Sequence, residues 1–175
     1  RTKLSENLFK GLAPWMSRLP GGLIHVNVVG CALFAAISGS SAATVATVGK
    51  MSIPELRKRN YPEKLLLGSL AGSGTLGLLI PPSIILIIYG VTVQESIAKL
   101  FIAGIIPGIM LAIFFMFYVI GWSMLNKNIM PKMEETFSFS QKIKQSGQLI
   151  PVIVLIVAVI GSIYVGIATA TEAAS

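Results

Sequence analysis

The sequence predicts an all-α polytopic membrane protein, and three observations carry that prediction. First, 54% of the 175 residues are hydrophobic and only 12% are charged, whereas a soluble domain carries about 25% charged residues. Second, four stretches lack any charged side chain, and each exceeds the roughly 20 apolar residues that cross a bilayer: 19–49, 65–94, 100–126 and 145–171. Third, the basic residues lie between these stretches, as in membrane loops. The net charge of +7 therefore indicates a lipid bilayer as partner and not nucleic acid.

Residues 1–18 are predicted to form an interfacial arm helix. Leu4, Leu8 and Leu12 recur at helical spacing, and Trp15 lies just before the first apolar stretch. Apolar residues on one face of a basic helix are typical of a helix in the membrane interface, where tryptophan is enriched. An ordinary cytosolic helix is the alternative.

Residues 19–49 are predicted to form a re-entrant hairpin. One straight helix of this length would measure about 45 Å, whereas the hydrocarbon core is about 30 Å thick. Near the middle stands Ser38-Gly39-Ser40-Ser41, a run of poor helix formers that favours a turn. Two helices joined by this turn would return to the side on which they started. Such a turn survives at membrane depth only where protein or a cavity surrounds it.

Residues 50–64 are predicted to be a cytoplasmic loop with a short helix. Ser52, Pro54 and Glu55 have the order typical of a helix start, and Pro62 is expected to end this helix.

Residues 65–94 are predicted to be a broken transmembrane helix. Glycines in the run 72–77 weaken the helix, and Pro81 and Pro82 remove two backbone donors. We expect half-helices at about 65–73 and 83–94, joined by an unwound stretch near the middle of the membrane. The glycine spacing also matches a dinucleotide fingerprint, which we reject because that fingerprint follows a β-strand.

The remaining spans complete the predicted order. Residues 100–126 are a plain transmembrane helix, 127–148 a cytoplasmic loop with an interfacial helix, and 149–175 begin with another transmembrane helix. Because the chain starts at Arg1 and ends inside an apolar run, we expect a piece of a longer protein.

The basic residues test the hairpin independently of any resemblance. If 19–49 returns to its own side, three segments share one face and hold 4, 5 and 4 basic residues: 1–18, 50–64 and 127–144. Only Lys99 falls on the opposite face. By the positive-inside rule, the face that holds the three basic segments is then the cytoplasmic one.

The two helix breaks predict an ion site. Unwound backbone exposes carbonyl oxygens that suit a hard cation, and hydroxyls add ligands. The candidate metal ligands come from both breaks: Ser38, Gly39, Ser40, Ser41, Ser73, Gly74, Thr75 and Gly77. Half-helix N-termini carry partial positive charge that favours a carboxylate. The candidate substrate contacts are therefore Ser41, Ala42, Pro82 and Ser83. The alternative is that these small residues only pack closely.

Other polar side chains carry weaker signals. His25 is the only histidine and the chain has no Asp, which favours packing over a proton relay. Cys31 lies in an apolar stretch and is predicted to pack there. Asn27 is predicted to form a hydrogen bond between helices, and Glu172 is a functional candidate as an acid in an apolar run.

Five motifs together resemble one known family. They are GGLIHVNV at 21–28, SGSSA at 38–42, GLLIPPS at 77–83, IYG at 88–90 and LFIAGIIPG at 100–108. They resemble the large membrane subunit of TRAP transporters, the DctM-like family, over nearly the whole chain. The resemblance implies one repeat of an elevator-type transporter, in which each of two inverted repeats holds a re-entrant hairpin and a broken helix. The run 168–174 is similar to the motif that opens the second repeat, with Ala170 where proline is usual.

The resemblance also implies a function. Members take up organic acids such as C4-dicarboxylates or sialic acids across the bacterial inner membrane, driven by sodium as the coupling ion. A periplasmic binding protein delivers the substrate, and a small membrane subunit accompanies the large one. No enzymatic activity and no other cofactor are expected. The sodium site of this repeat is implied at 38–41 and 72–77.

Two other function classes stay open from the residues alone. A channel with a re-entrant loop would conduct ions without stoichiometric coupling. An intramembrane serine protease would need Ser40 or Ser41 as nucleophile and His25 as base.

Overall fold

The computed structural model describes residues 2–131 and 139–164, where eight α-helices hold most of the chain. Their bounds are α1 Thr2–Met16, α2 His25–Ser38, α3 Ser41–Lys58, α4 Glu63–Gly74, α5 Ile84–Val93, α6 Ile97–Leu125, α7 Phe139–Ser146 and α8 Ile150–Tyr164. The described residues contain no β-strand, so the predicted all-α fold class is confirmed. Glu172 and the run 168–174 lie outside the described residues.

Helices α2 and α3 fold back on each other around a two-residue turn. Gly39 ends α2 with φ of +59°, a left-handed conformation that glycine adopts without a steric penalty. Ser40 is extended, and its hydroxyl accepts a long 3.5 Å hydrogen bond from the backbone N–H of Ala43, as N-cap residues do. Gly30 and Val48 are equally far from Gly39 along the chain, and a Cβ added at Gly30 would lie 3.7 Å from Cγ1 of Val48. The two helices are therefore antiparallel, and their placement relative to a bilayer stays a prediction.

Helix α3 continues to Lys58 without interruption, so the predicted helix start at Ser52 is wrong. Val48, Ser52 and Leu56 recur at a spacing of four residues and are all buried, which places them on one helical face. Pro54 lies inside the helix and removes a single backbone donor. Packing of the buried face outweighs the local signals for a helix start, as it commonly does in proteins.

The main hydrophobic core contains residues of α1, of the start of α2 and of the first turn of α4. Leu8 and Leu12 of α1 are buried in it with Ile24 and Leu66. The sequence predicted that the apolar face of α1 contacts the membrane interface, whereas the structure turns these leucines toward protein. Trp15 is 43% exposed, and its indole N–H donates to the hydroxyl of Ser146 at 2.8 Å.

Helix α6 occupies the stretch predicted as a plain span. It has 29 residues and is the one described helix that is both long and apolar enough to cross a membrane. Large apolar side chains on it are exposed, with Ile106 at 75% and Phe117 at 64%. Three shorter apolar helical stretches are Gly22–Ser38, Ile84–Val93 and Gly147–Ser162.

Candidate functional site

The turn between α2 and α3 packs directly on the segment between α4 and α5. We call this contact the crossing, formed by residues 38–44 and 73–84. The backbone N–H of Ile84 donates to the carbonyl oxygen of Gly39 at 3.2 Å. A Cβ added at Gly39 would lie 2.7 Å from the Pro82 carbonyl oxygen, and one added at Gly77 would lie 2.9 Å from the Ser41 nitrogen. Both glycines are therefore required by the close approach of two backbones.

The segment between α4 and α5 is not α-helical. Residues Thr75–Leu78 form a tighter 3-10 turn directly after α4, and the backbone N–H of Ile80 donates to the Leu76 carbonyl at 2.8 Å. Ser83 is extended, with φ of −124°, immediately before α5 begins at Ile84. Two glycines of the rejected dinucleotide motif, Gly72 and Gly74, thus lie in the last turn of α4 and Gly77 follows it, so the motif does not follow a strand.

Two buried hydroxyl oxygens at the crossing have no hydrogen-bond partner among the described residues. They are Oγ of Ser41 and Oγ of Ser73, and Ser73 is 0% exposed. A Cβ added at Gly74, the residue after Ser73, would lie 3.7 Å from the Ser41 carbonyl oxygen. The backbone of Ser41 therefore passes close to the backbone next to Ser73. A buried polar group without a partner costs about 1–3 kcal/mol. A bound cation at these oxygens would remove that cost.

The other predicted ligand hydroxyls are already engaged. Ser38 Oγ lies 2.8 Å from Oγ1 of Thr44, and Ser40 caps α3 as described above. Thr75 is exposed, and its hydroxyl donates to the Gly72 carbonyl at 2.7 Å. The crossing therefore brings together Ser41, Ser73 and the backbone of Gly39, Gly74 and Gly77, but directs the Thr75 side chain away.

The predicted substrate contacts differ in their solvent exposure. Ala42 is exposed on the first turn of α3, whereas Pro82 and Ser83 are buried. The hydroxyl of Ser83 donates to the Leu78 carbonyl at 2.9 Å. The N-termini of α3 and α5 both lie at the crossing, so the partial positive charges of two helices act in one place.

Thr44 is a residue of the crossing that sequence reasoning missed. It is 0% exposed, and it holds the Ser38 hydroxyl in place across the turn. The sequence alone could have indicated Thr44, because it is a hydroxyl residue in a charge-free stretch, one helical turn after the predicted break.

A second polar group links α2 to α4 away from the crossing. The amide nitrogen of Asn27 donates to Ser69 Oγ at 3.0 Å and to the Leu66 carbonyl at 3.3 Å. The predicted helix-to-helix hydrogen bond of Asn27 is therefore confirmed. Close by, the backbone N–H of Leu23 donates to the hydroxyl of Tyr61 at 3.0 Å.

His25 lies far from Ser40 and Ser41, the residues that the serine protease alternative requires. His25 is the first residue of α2, and its Nε2 lies 2.8 Å from the Pro20 carbonyl oxygen. Ser40 and Ser41 follow the opposite end of this 14-residue helix, which is about 20 Å long at 1.5 Å per residue. His25 cannot act as a base toward either hydroxyl at that distance.

Comparisons with known proteins agree over the whole chain. The sequence model of a family described as "Tripartite ATP-independent periplasmic transporter, DctM component" matches residues 1–175. The chain is 38% identical over 160 residues to the C4-dicarboxylate TRAP transporter large permease protein DctM of Pseudomonas aeruginosa, which covers 91% of this chain and 37% of that protein.

Two further relatives carry different substrate names. The isethionate TRAP transporter permease protein DctMQ of Oleidesulfovibrio alaskensis is 37% identical over 180 residues, covering 98% of this chain and 27% of that protein. The sialic acid TRAP transporter permease protein SiaT of Haemophilus influenzae is 35% identical over 173 residues, covering 98% and 27%. The chain therefore spans less than half the length of each of these relatives.

Proposed function

The chain belongs to the DctM component family of tripartite ATP-independent periplasmic transporters, and we propose that it forms half of the site of a sodium-coupled uptake transporter. The full-length protein moves an organic acid, such as a C4-dicarboxylate or a sialic acid, across the bacterial inner membrane without covalent chemistry. A small membrane subunit accompanies it, and a periplasmic binding protein delivers the substrate. The substrate names of the three relatives support an organic acid.

The observation that carries this proposal is the crossing of two helix breaks. Close approach at Gly39 and Gly77 joins two distant parts of the chain, and the hydroxyls of Ser41 and Ser73 are buried there without partners among the described residues. The residues of the crossing, 38–44 and 73–84, contain no charged side chain. Neutral oxygens are therefore the available donors, and they suit a hard monovalent cation such as sodium.

The substrate half-site lies on the exposed side of the crossing. Two helix N-termini converge beside exposed Ala42, where their partial charges favour a carboxylate. The remaining contacts come from a second repeat in the longer protein. A sodium ion that holds the turn against the 73–84 segment orders the N-terminus of α3. Ion and substrate then raise each other's affinity by the same factor.

Re-entry of the α2–α3 hairpin and an elevator motion complete the proposal. The hairpin and the broken α4–α5 segment are packed together at Gly39, Gly77 and Ile84, so they can move as one body. Large conformational changes in proteins commonly occur as rigid-body movements of packed elements between a few discrete arrangements.

Uptake by reconstituted full-length protein tests the function. Proteoliposomes would contain the permease, its small subunit and the periplasmic binding protein, with a C4-dicarboxylate, isethionate and sialic acid offered in turn. An inward sodium gradient should drive accumulation of one of these acids, and a potassium gradient of equal size should not. Substrate that only equilibrates, together with an ionic current that is not coupled to it, would indicate a channel and contradict the proposal.

Cysteine labelling in intact cells tests the hairpin topology. In a background with Cys31→Ala, Lys58→Cys should resist a membrane-impermeant thiol reagent, because α3 returns to the cytoplasmic face. Glu95→Cys, which follows α5, should react under the same conditions. Labelling of Lys58→Cys from outside would rule out a re-entrant hairpin.

A further inference from the structure

A cavity of about 300 Å³ opens between α4 and α6, away from the crossing. Its walls are almost entirely apolar and come from Gly68, Ser69, Phe114, Phe115, Tyr118 and Val119. Gly68 creates this space, because a Cβ built there would meet no atom within 4 Å. The one hydroxyl of α4 in the wall, that of Ser69, is already bonded to Asn27 and to the Leu66 carbonyl. The cavity therefore offers room for an apolar group.

The register of α4 against α6 identifies what lies at each end of this groove. A Cβ at Gly72 would lie 3.2 Å from the Phe115 ring, and Gly68 shares the cavity with Val119. From the first pair to the second, the residue number decreases by four on α4 and increases by four on α6. The two helices are therefore antiparallel. The same register places Lys64 level with Ser123, one helical turn or about 6 Å from Gly68.

The end of the groove at Lys64 is basic. Lys64 is exposed on the first turn of α4, and exposed Lys127 lies just beyond the C-terminus of α6. Glu63 is the acidic neighbour on α4, and its carboxylate is paired with the guanidinium of Arg57. Lys64 therefore lies one helical turn beyond Gly68 on α4, and Lys127 follows Ser123 by four residues on the other wall.

Aromatic side chains on α6 line the same path. Phe114, Phe115 and Tyr118 belong to the cavity wall, and Tyr118 is 62% exposed. Tyrosine and tryptophan are enriched at the level of lipid headgroups. Tyr118 lies in the C-terminal half of α6, which leads toward Lys127.

We propose that this groove binds an anionic phospholipid, with one acyl chain against Gly68 and the headgroup phosphate between Lys64 and Lys127. The apolar wall matches the acyl chain, and the two lysines match the charge of the headgroup. From the level of Gly72 to that of Lys64 the groove is about 12 Å long, which accommodates the part of an acyl chain nearest the headgroup. The proposal requires α6 to lie in a bilayer, but it does not require the crossing to bind sodium.

Native mass spectrometry of the purified full-length protein with added phosphatidylglycerol or phosphatidylcholine tests the site. The parent should retain one phosphatidylglycerol in preference to phosphatidylcholine. Gly68→Leu should fill the groove and weaken this binding at least about tenfold, since the space of a buried apolar group is lost. Gly161→Leu on α8, where an added Cβ also meets open space, is the matched control and should bind as the parent does.

The double variant Lys64→Gln/Lys127→Gln tests the headgroup separately. Because two ammonium groups next to an anionic headgroup are lost, phosphatidylglycerol binding should weaken about thirtyfold. Binding of phosphatidylcholine should not change, and exposed lysines leave the fold intact. Equal phosphatidylglycerol binding by the parent and the double variant would overturn the proposal.

The rival occupant is another part of the longer protein. In that case the parent would retain no phospholipid, and Gly68→Leu would lower the melting temperature of the full-length protein while Gly161→Leu would not. That pair of results would also overturn the lipid assignment.

Discussion

Two apolar segments of this protein contain the same helix-breaking residues and differ in their structure. Helix α6 contains Gly104, Pro107 and Gly108 and still continues for 29 residues. The α4–α5 segment, with Gly77 and Pro81 among its residues, is not α-helical between Gly74 and Ile84. Glycine and proline in a sequence therefore do not by themselves decide where a helix breaks.

The packing of the two segments explains the difference. A Cβ at Gly104 would lie 2.6 Å from the Leu79 carbonyl oxygen, and one at Gly108 would lie 3.0 Å from the Ile80 side chain. On the other side of the same segment, Gly77 leaves room for the Ser41 backbone. The unwound segment thus lies between α6 and the α2–α3 turn and contacts both. Glycines of α6 make room for a neighbouring break, whereas Gly77 lies within the break itself.

Gly77→Val should have the largest effect of the substitutions that test this comparison. Its Cβ would lie 2.9 Å from backbone nitrogen and not from a flexible side chain, so the crossing must open. Such overpacking costs about 1–3 kcal/mol, and we expect at least about tenfold slower uptake by the full-length protein. Gly121→Val on α6, where a Cβ meets open space, should keep the parent's rate. Normal uptake by Gly77→Val would mean that the crossing is not needed.

Gly104→Ala should have an intermediate effect. The added methyl group would press on the Leu79 carbonyl, which belongs to the unwound backbone, and we expect uptake to slow about fivefold. Gly108→Ala is the control, because its nearest neighbour is the flexible side chain of Ile80. If both alanine variants transport at the same rate, α6 does not hold the break in place.

Tyr61→Phe should have the smallest effect on uptake, because Tyr61 lies outside both breaks. It removes the hydroxyl that accepts the backbone N–H of Leu23, and loss of one such partner costs about 1–3 kcal/mol. The melting temperature of the full-length protein should fall by a few degrees, while the sodium concentration for half-maximal uptake stays unchanged. Tyr89→Phe, at a position that is 53% exposed, is the control. A changed sodium requirement in Tyr61→Phe would show that the ion site extends beyond the crossing.

The positions of both breaks were predictable from the sequence because they depend on local residues. Ser38–Ser41 are poor helix formers, and Pro81 and Pro82 lack backbone donors. The failed start at Ser52 has the opposite cause, since its signals were local but the buried face of Val48 and Leu56 belongs to the tertiary structure.

Contacts within the crossing could not be predicted in the same way. Ser73 and Thr75 are two residues apart, and only helical phase, set by packing of α4, makes one buried and the other exposed. The bond between Ser38 and Thr44 likewise depends on how tightly α3 turns back on α2. The sequence predicted hydroxyl groups at the two breaks, and the packing leaves those of Ser41 and Ser73 buried without a hydrogen-bond partner among the described residues.

Thermal unfolding of the purified full-length protein in sodium and potassium chloride tests the central claim most directly, because it needs no known substrate. A ligand that binds only the folded state raises its stability in a saturable way. The parent should therefore gain stability from sodium and not from potassium at equal ionic strength. The variant Ser41→Ala/Ser73→Ala should need about tenfold more sodium for half of the gain, the equivalent of about 1.4 kcal/mol in binding free energy. Ser123→Ala, a buried serine on α6, should respond as the parent does. If Ser41→Ala/Ser73→Ala keeps the parent's sodium dependence, the ion does not bind between the two helix breaks.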